Sequence, residues 1–235
     1  MKKSVFLFLG MVILALSGCF KGNNKQTFKN EPAIFFYYNI VLPMIETRWG
    51  SLHAPELDNQ SYNGEEILLV NFDIDYSKQS YRNVYTVSNL QVIQEINSSP
   101  ATSRSGEYLT DDYNAPIDYM LAEMKSIQEL LFCWFRQKAP AGQTFEYEML
   151  YDPADTSRTP SVYIRSKKTN EPEGDDIEIV TCFGFDMMPL LRHLKAMNTG
   201  SETVTFYVKY CTDGEDDYRY HEGGTISWNI SGLEI

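Results

Sequence analysis

Histidine, positive charge and long apolar runs are all scarce in this chain, and each shortage excludes something. Only His53, His193 and His221 occur in 235 residues, so a histidine base has three candidates. Twenty Lys and Arg stand against 32 Asp and Glu, a formal net charge of −12. An acidic body repels phosphate backbones, which argues against nucleic acid as a partner. The apolar run from Ser4 to Leu16 is too short for a spanning helix, which needs about 20 apolar residues. The sequence contains no Gly-x-Ser-x-Gly elbow, no phosphate loop and no dinucleotide fingerprint. Internal repeats and low-complexity segments are absent as well.

What is present begins at the N-terminus. Lys2 and Lys3 precede the apolar run, which closes on Leu16-Ser17-Gly18-Cys19. A positive start, a short apolar stretch and small residues before the break describe a cleavable export signal, here residues 1–18. The cysteine directly after the small residues offers a thiol for acylation. Cys19 is therefore the expected lipidation site. Several acyl chains hold a protein stably where one does so marginally, so the expected partner is a membrane reached through this anchor. Cleavage before Cys19 leaves 217 residues, and losing Lys2 and Lys3 takes the net charge from −12 to −14. Such a charge keeps an exported body soluble. Residues 19–31, polar and without periodicity, read as a flexible tether.

Cysteine is also sparse. With Cys19 acylated, Cys133, Cys182 and Cys211 remain. An oxidising compartment permits one bridge and leaves one thiol over. All three lie in apolar or β-like runs, so one reading is three buried thiols acting as small hydrophobes. The other is a disulfide, with Cys182 and Cys211 the preferred pair because their strands are near in the chain.

The body reads as mainly β. Pro32 to Leu42 is a run of β-formers, apolar on both faces, and Pro43 weakens it as an interior strand. Met44 to Leu57 reads as irregular or a short strand, and Asn63-Gly64 as a turn. In Glu65 to Tyr76, Leu68, Val70, Phe72, Ile74 and Tyr76 face one way, and Asn71, Asp73 and Asp75 the other. Val84 to Ile96 continues the pattern with one slip of phase, as a β-bulge causes. Ser98 to Asn114, rich in small and polar residues, reads as the boundary between a barrel module at 32–100 and a second module at 115–235.

In the second module, Pro116 to Arg136 fits either two strands folding back near Lys125-Ser126 or a short helix followed by a strand. Phe145, Tyr147, Met149 and Tyr151 alternate after Gly142. Ser161 to Arg165 reads as a short strand, and Ile177, Ile179, Phe183 and Phe185 alternate again. Asp186 to Met197 carries helical spacing, with Asp186 as a cap, Pro189 in the first turn and Gly200 at the exit. Val204, Phe206, Val208 and Tyr210 alternate along Thr203 to Cys211, and Ile226, Trp228 and Ile230 close the chain.

A lipobox, the strand Gly-x-x-Ile-Leu-Leu-Val-x-Phe-x-Ile-Asp at Gly64 to Asp75, Phe-Gly-Phe-Asp-Met-Met at Phe183 to Met188, a short helix and a strand ending in Tyr210 together resemble the NigD-like lipoproteins of the Bacteroidales. That resemblance implies an N-terminal OB-like barrel plus a C-terminal β-sandwich with one short helix. It implies no catalytic residues. It also tilts the location toward the outer membrane, and the family's name suggests an immunity-like role against a bacteriocin.

Several fragments invite a chemical reading. His221-Glu222-Gly223-Gly224-Thr225 begins like a zinc-protease motif but has Thr where the second His belongs, and paired glycines oppose the helix that motif needs. Asp213, Glu215, Asp216 and Asp217 offer oxygens to calcium, yet Gly214 falls second in the run and not sixth, so the loop is no EF-hand. Asp73 and Asp75 lie on one strand face about 7 Å apart, a spacing compatible with an inverting glycosidase pair. Two acids on a solvated strand are commoner. His193, beside Arg192, is expected at the helix surface. The expectation is a monomeric, lipid-anchored envelope protein without cofactor or metal. It would bind a protein, peptide or glycan through an aromatic or loop surface, and a carboxylate-dependent hydrolase is the rival reading.

Overall fold

Leu68, Val70, Phe72 and Ile74 all point into one apolar interior, and the strand carrying them is central to the first of two compact units. In a computed structural model the described residues are 24–58, 66–79, 84–104, 112–120, 125–212 and 218–233. The division between units falls at Gln94/Glu95. The signal segment, Cys19, Asn63-Gly64 and the acidic run Asp213 to Asp217 lie outside the described residues.

The first unit contains β1 (Lys25–Tyr38), β2 (Leu42–Thr47), β3 (Gly50–His53), β4 (Ile67–Gln79) and β5 (Tyr85–Glu95), with a 3-10 turn at Pro55–Leu57. These five close into a barrel in the order β1-β2-β3-β5-β4. β1 runs antiparallel to both β2 and β4, and β3 meets β5 in parallel at His53 and Thr86. This is the OB-like barrel of the sequence reading. Phe28, Phe35, Ile45, Leu52 and Val87 join the β4 residues in its core. Phe28 stacks on Phe72 with ring centroids 4.9 Å apart. The slip of phase in β5 sits at Asn89, whose φ is +53°, between buried Val87 and the partly buried Leu90 and Val92.

Two expectations fail here. β1 starts at Lys25, inside the segment read as tether. The presumed strand from Pro32 to Leu42 is instead the hairpin β1–β2, turning at residues 39–41. Asn39 and Ile40 make that turn with φ of +51° and +70°. A β-branched residue in that region is rare, which is why the turn was hidden. Pro43 sits within β2 opposite Tyr37.

The second unit contains β6 (Ser98–Ser103), β7 (Tyr119–Met120), β8 (Lys125–Ile127), β9 (Leu130–Pro140), β10 (Phe145–Tyr151), β11 (Ser161–Lys168), β12 (Asp176–Asp186), α1 (Met188–Met197), β13 (Thr203–Cys211) and β14 (Tyr218–Asn229). Among the described residues the strands form a nine-stranded path, β14-β13-β11-β10-β6-β12-β9-β7, with β8 also on β9. β6 turns this path into a sandwich. Its first half, Ser98 to Pro100, pairs with β12, and its second half, Ala101 to Ser103, pairs with β10. A strand that changes sheet makes a corner. Phe135 on β9 stacks on Tyr147 on β10 at 4.4 Å, whereas three strand spacings along a flat sheet would separate them by about 14 Å. The two halves therefore face each other across a core that includes Phe183, Phe185, Val204 and Phe206.

Ser98 to Ser103 is thus a strand of the second unit and not linker. Small residues serve the close approach there: a Cβ on Gly184 would come 3.1 Å from Phe132 and 3.2 Å from Ser98. Among the described residues of Pro116 to Arg136 the regular elements are strands, β7, β8 and the start of β9, with the turn at Gln128-Glu129, where Gln128 has φ +53°. α1 forms as expected and buries Leu190, Leu191 and Leu194; the Asp186 carboxylate accepts the Met188 N–H at 2.9 Å. No described helix is long and apolar enough to cross a membrane.

Candidate functional site

Ser166, at the far end of β11, is completely buried, and the strap of residues 112–117 is built upon it. Its hydroxyl donates to the Ala115 carbonyl at 2.7 Å, and the Ala115 N–H donates to the Ser166 carbonyl at 2.9 Å. Gln137 on β9 donates its amide to both the Pro116 carbonyl and the Ser166 hydroxyl, each at 2.9 Å. The Tyr147 hydroxyl donates to the Gln137 side-chain oxygen at 2.6 Å. Burial pushes the Tyr147 phenol well above its ordinary value, so it stays a donor. Every group in this chain of contacts has a partner, as a buried polar network requires.

The outer face of the same sheet fixes the other side of the strap. Arg165, buried despite its charge, pairs with Glu148 at 3.1 Å and donates its Nε to the Tyr113 carbonyl at 3.1 Å. The Tyr113 ring lies near the Arg165 guanidinium and the Lys167 ammonium, at 6.0 and 5.8 Å. Burial first, then Glu146 and Glu148, push the Tyr113 phenol up. Lys167 contacts Asp112, whose hydrogen bond holds the ammonium above its usual value.

Between strap and strand end lies a groove of about 370 Å³, lined by Asp112, Asn114, Ala115, Pro116, Lys167, Lys168 and Glu171. Its volume falls within the range of small-ligand sites. It offers carboxylates, an amide and ammonium groups, which suit hydroxyl-rich or zwitterionic ligands. Its described lining residues include no Ser, Thr, Cys or His. Nothing in residues 112–117 announced the groove in the sequence; the internal polar pair Gln137 and Ser166 was the available signal.

Among the described residues, those singled out from the sequence do not gather within either unit. Asp73 and Asp75 lie on the outer face of β4. Asp73 accepts from the Thr27 hydroxyl at 2.6 Å and the Asn89 amide at 2.7 Å. Asp75 accepts from the Ser77 hydroxyl at 2.5 Å. These hydrogen bonds hold both carboxyls below their ordinary value. An acid catalyst needs one raised, and both carboxyls of this pair are shifted the other way. His53 sits near the Thr86 hydroxyl at 3.2 Å, and burial lowers its pKa against the pull of Asp58.

His193 is half-buried, with its ring 5.4 Å from Tyr151, and not at the open surface expected. The backbone of His221 to Thr225 is part of β14, which cannot present a helical metal-binding face. Among the described residues no group of three metal-ligating side chains gathers.

No disulfide joins Cys133, Cys182 and Cys211, all of which are buried. The pairing considered for Cys182 and Cys211 is not made: β12 and β13 belong to opposite halves of the sandwich, and neither cysteine is among the residues of the core between them. Cys133 and Cys182 are on adjacent strands but project to opposite faces, since Cys133 registers with Phe183 and Cys182 with Trp134. Burial pushes the Cys133 thiol up, the opposite of what a nucleophile needs.

No protein-family model and no curated protein matches the chain. Solved structures do. An uncharacterised protein from Parabacteroides merdae superposes with TM-score 0.71 at 14% identity, over 88% of this chain and 99% of its own. A Bacteroides fragilis protein, provisionally described as a lipoprotein, gives TM-score 0.53 at 10% identity over 87% and 95%. A NigD-like immunity protein from Bacteroides caccae gives 0.53 at 12% identity over 87% and 96%. At these identities the likeness is one of fold. It agrees with the NigD-like architecture suggested by the sequence pattern.

Proposed function

We propose that this chain is a lipid-anchored protein of the cell envelope, on the outer membrane, that works by binding and not by catalysis. The groove beside the strap is its ligand site, and a glycan or peptide is its ligand. The observation that carries this reading is the groove itself: a recess braced by the Ser166 and Gln137 hydrogen bonds and lined by two carboxylates, an amide and two ammonium groups. The lipobox at Cys19 supports the anchor, and a fold neighbour provisionally described as a lipoprotein supports the compartment. Titration calorimetry with cell-wall glycan fragments and short peptides tests the site. Binding that weakens at least tenfold in Asn114→Ala and Lys168→Ala is expected; binding unchanged in both variants would remove the groove from the account. Intact mass of the envelope-purified protein tests the anchor, with acyl chains on Cys19 expected and an unmodified terminus fatal to it.

The NigD-like immunity protein among the fold neighbours favours a second reading, in which the bound ligand is a bacteriocin. Deleting the gene would then sensitise the cell to that toxin.

A further inference from the structure

The tip of the β1–β2 hairpin is the most exposed apolar feature of the described chain. Ile40 is 91% exposed and Val41 74%, with Tyr38 at 44% just below them. The backbone makes this display at a cost, because Asn39 and Ile40 both adopt left-handed conformations and Ile40 is β-branched. Glycine in place of Ile40 would relieve the strain. An outlier kept at an exposed position, where packing does not demand it, points to use.

We infer that this tip is a second, non-covalent membrane contact, inserting Ile40 and Val41 into a neutral phospholipid surface. The inference rests on the lipid anchor proposed above. Charge argues for lipid. No charged residue occurs from Pro32 to Ile45, so no charge near the tip resists entering hydrocarbon. The order of side chains fits an interface, with the exposed Tyr38 beneath the aliphatic apex, at the level where aromatic rings settle. Reach agrees. Cys19 is six residues from Lys25, at most about 20 Å of chain. The tip stands at the opposite end of β1, at most about 43 Å along the strand. An anchor at one end and an inserted tip at the other lay β1 along the membrane and fix how the body is presented. Two aliphatic side chains hold weakly by themselves, but the covalent anchor keeps them at high local concentration.

The test uses the acylated full-length mature chain in vesicles of dioleoyl phosphatidylcholine and phosphatidylethanolamine. A nitroxide is placed by Val41→Cys, the other thiols being acylated or buried. A label at Gln91→Cys, an exposed position of the same barrel, is the control. Expected is a label at 41 that oxygen reaches and aqueous nickel does not, with the label at 91 in water. Adding Ile40→Gly returns label 41 to water while the melting temperature holds or rises, which separates lost contact from lost folding. A label at 41 in water, on a chain that still floats with the vesicles, overturns the inference and leaves the anchor standing. A chain that does not float points instead to a failed anchor. The Cys19→Ala chain at millimolar lipid then tests the tip directly: partial binding, cut about tenfold by Ile40→Asp, is expected, and no binding overturns it. Protection of label 41 by an added envelope protein but not by lipid also overturns it, in favour of a protein socket.

Discussion

The barrel and the sandwich hold themselves together by different means. The barrel closes chiefly through backbone pairing, β4 returning to β1, around an apolar interior, with Asp73 adding side-chain bonds to β1 and β5 on the outside. The sandwich cannot close that way. It needs one strand shared by two sheets and a buried chain of hydrogen bonds through Tyr147, Gln137 and Ser166 to the strap. Closure by ladder depends on many equivalent small contributions. Closure by corner and network depends on a few irreplaceable groups, and damage there should be larger and more local.

That contrast can be broken or sharpened in order of expected effect. Trp49 is in the barrel, and Trp134 and Trp228 are in the sandwich, so fluorescence of single-tryptophan variants follows each unit separately. Gln137→Ala leaves the Ser166, Tyr147 and Pro116 groups short of partners. It should cost the sandwich about 2–4 kcal/mol in urea unfolding, with the barrel transition unmoved. Equal loss in both units would erase the distinction drawn here. Gly184→Ala drives a methyl against Phe132 and Ser98, and about 1–3 kcal/mol of loss is expected in the same unit. The barrel should also show a pH response. A carboxyl held below its ordinary value of 3.8 contributes stability above that pH and loses it as pH falls through the folded value, so the Trp49 transition should weaken below about pH 4. Asp73→Asn should flatten that dependence. The smallest effect is a gain: Ile40→Gly should stabilise the barrel by about 0.5–1 kcal/mol by relieving its positive φ.

The same contrast decides what could be read from the sequence. Period-two alternation marked β4, β10, β12 and β13, because one face of each is buried in a continuous core. Helical spacing marked α1, and the phase slip in β5 marked the kink at Asn89. The turn at Asn39-Ile40 was not legible, since turn chemistry there is carried by a residue type that ordinarily refuses it. β6 was misjudged as linker because a corner strand is short, polar and changes partners at Pro100, so no periodicity survives. The groove was equally hidden. Its walls are residues 112–116 and 167–171, and they are brought together by long-range bonds, Ala115 and Gln137 to Ser166 and Tyr113 to Arg165, that no local pattern announces.

β1 is hydrogen-bonded on both flanks, to β2 and to β4, and the chain enters the barrel at its first residue. A tug arriving through the preceding residues would act along the strand's own axis. The ladder bonds of β1 would then be sheared together rather than peeled one at a time. Mechanical resistance is greatest in that arrangement, so the barrel is placed to bear traction at the point where a tether would deliver it.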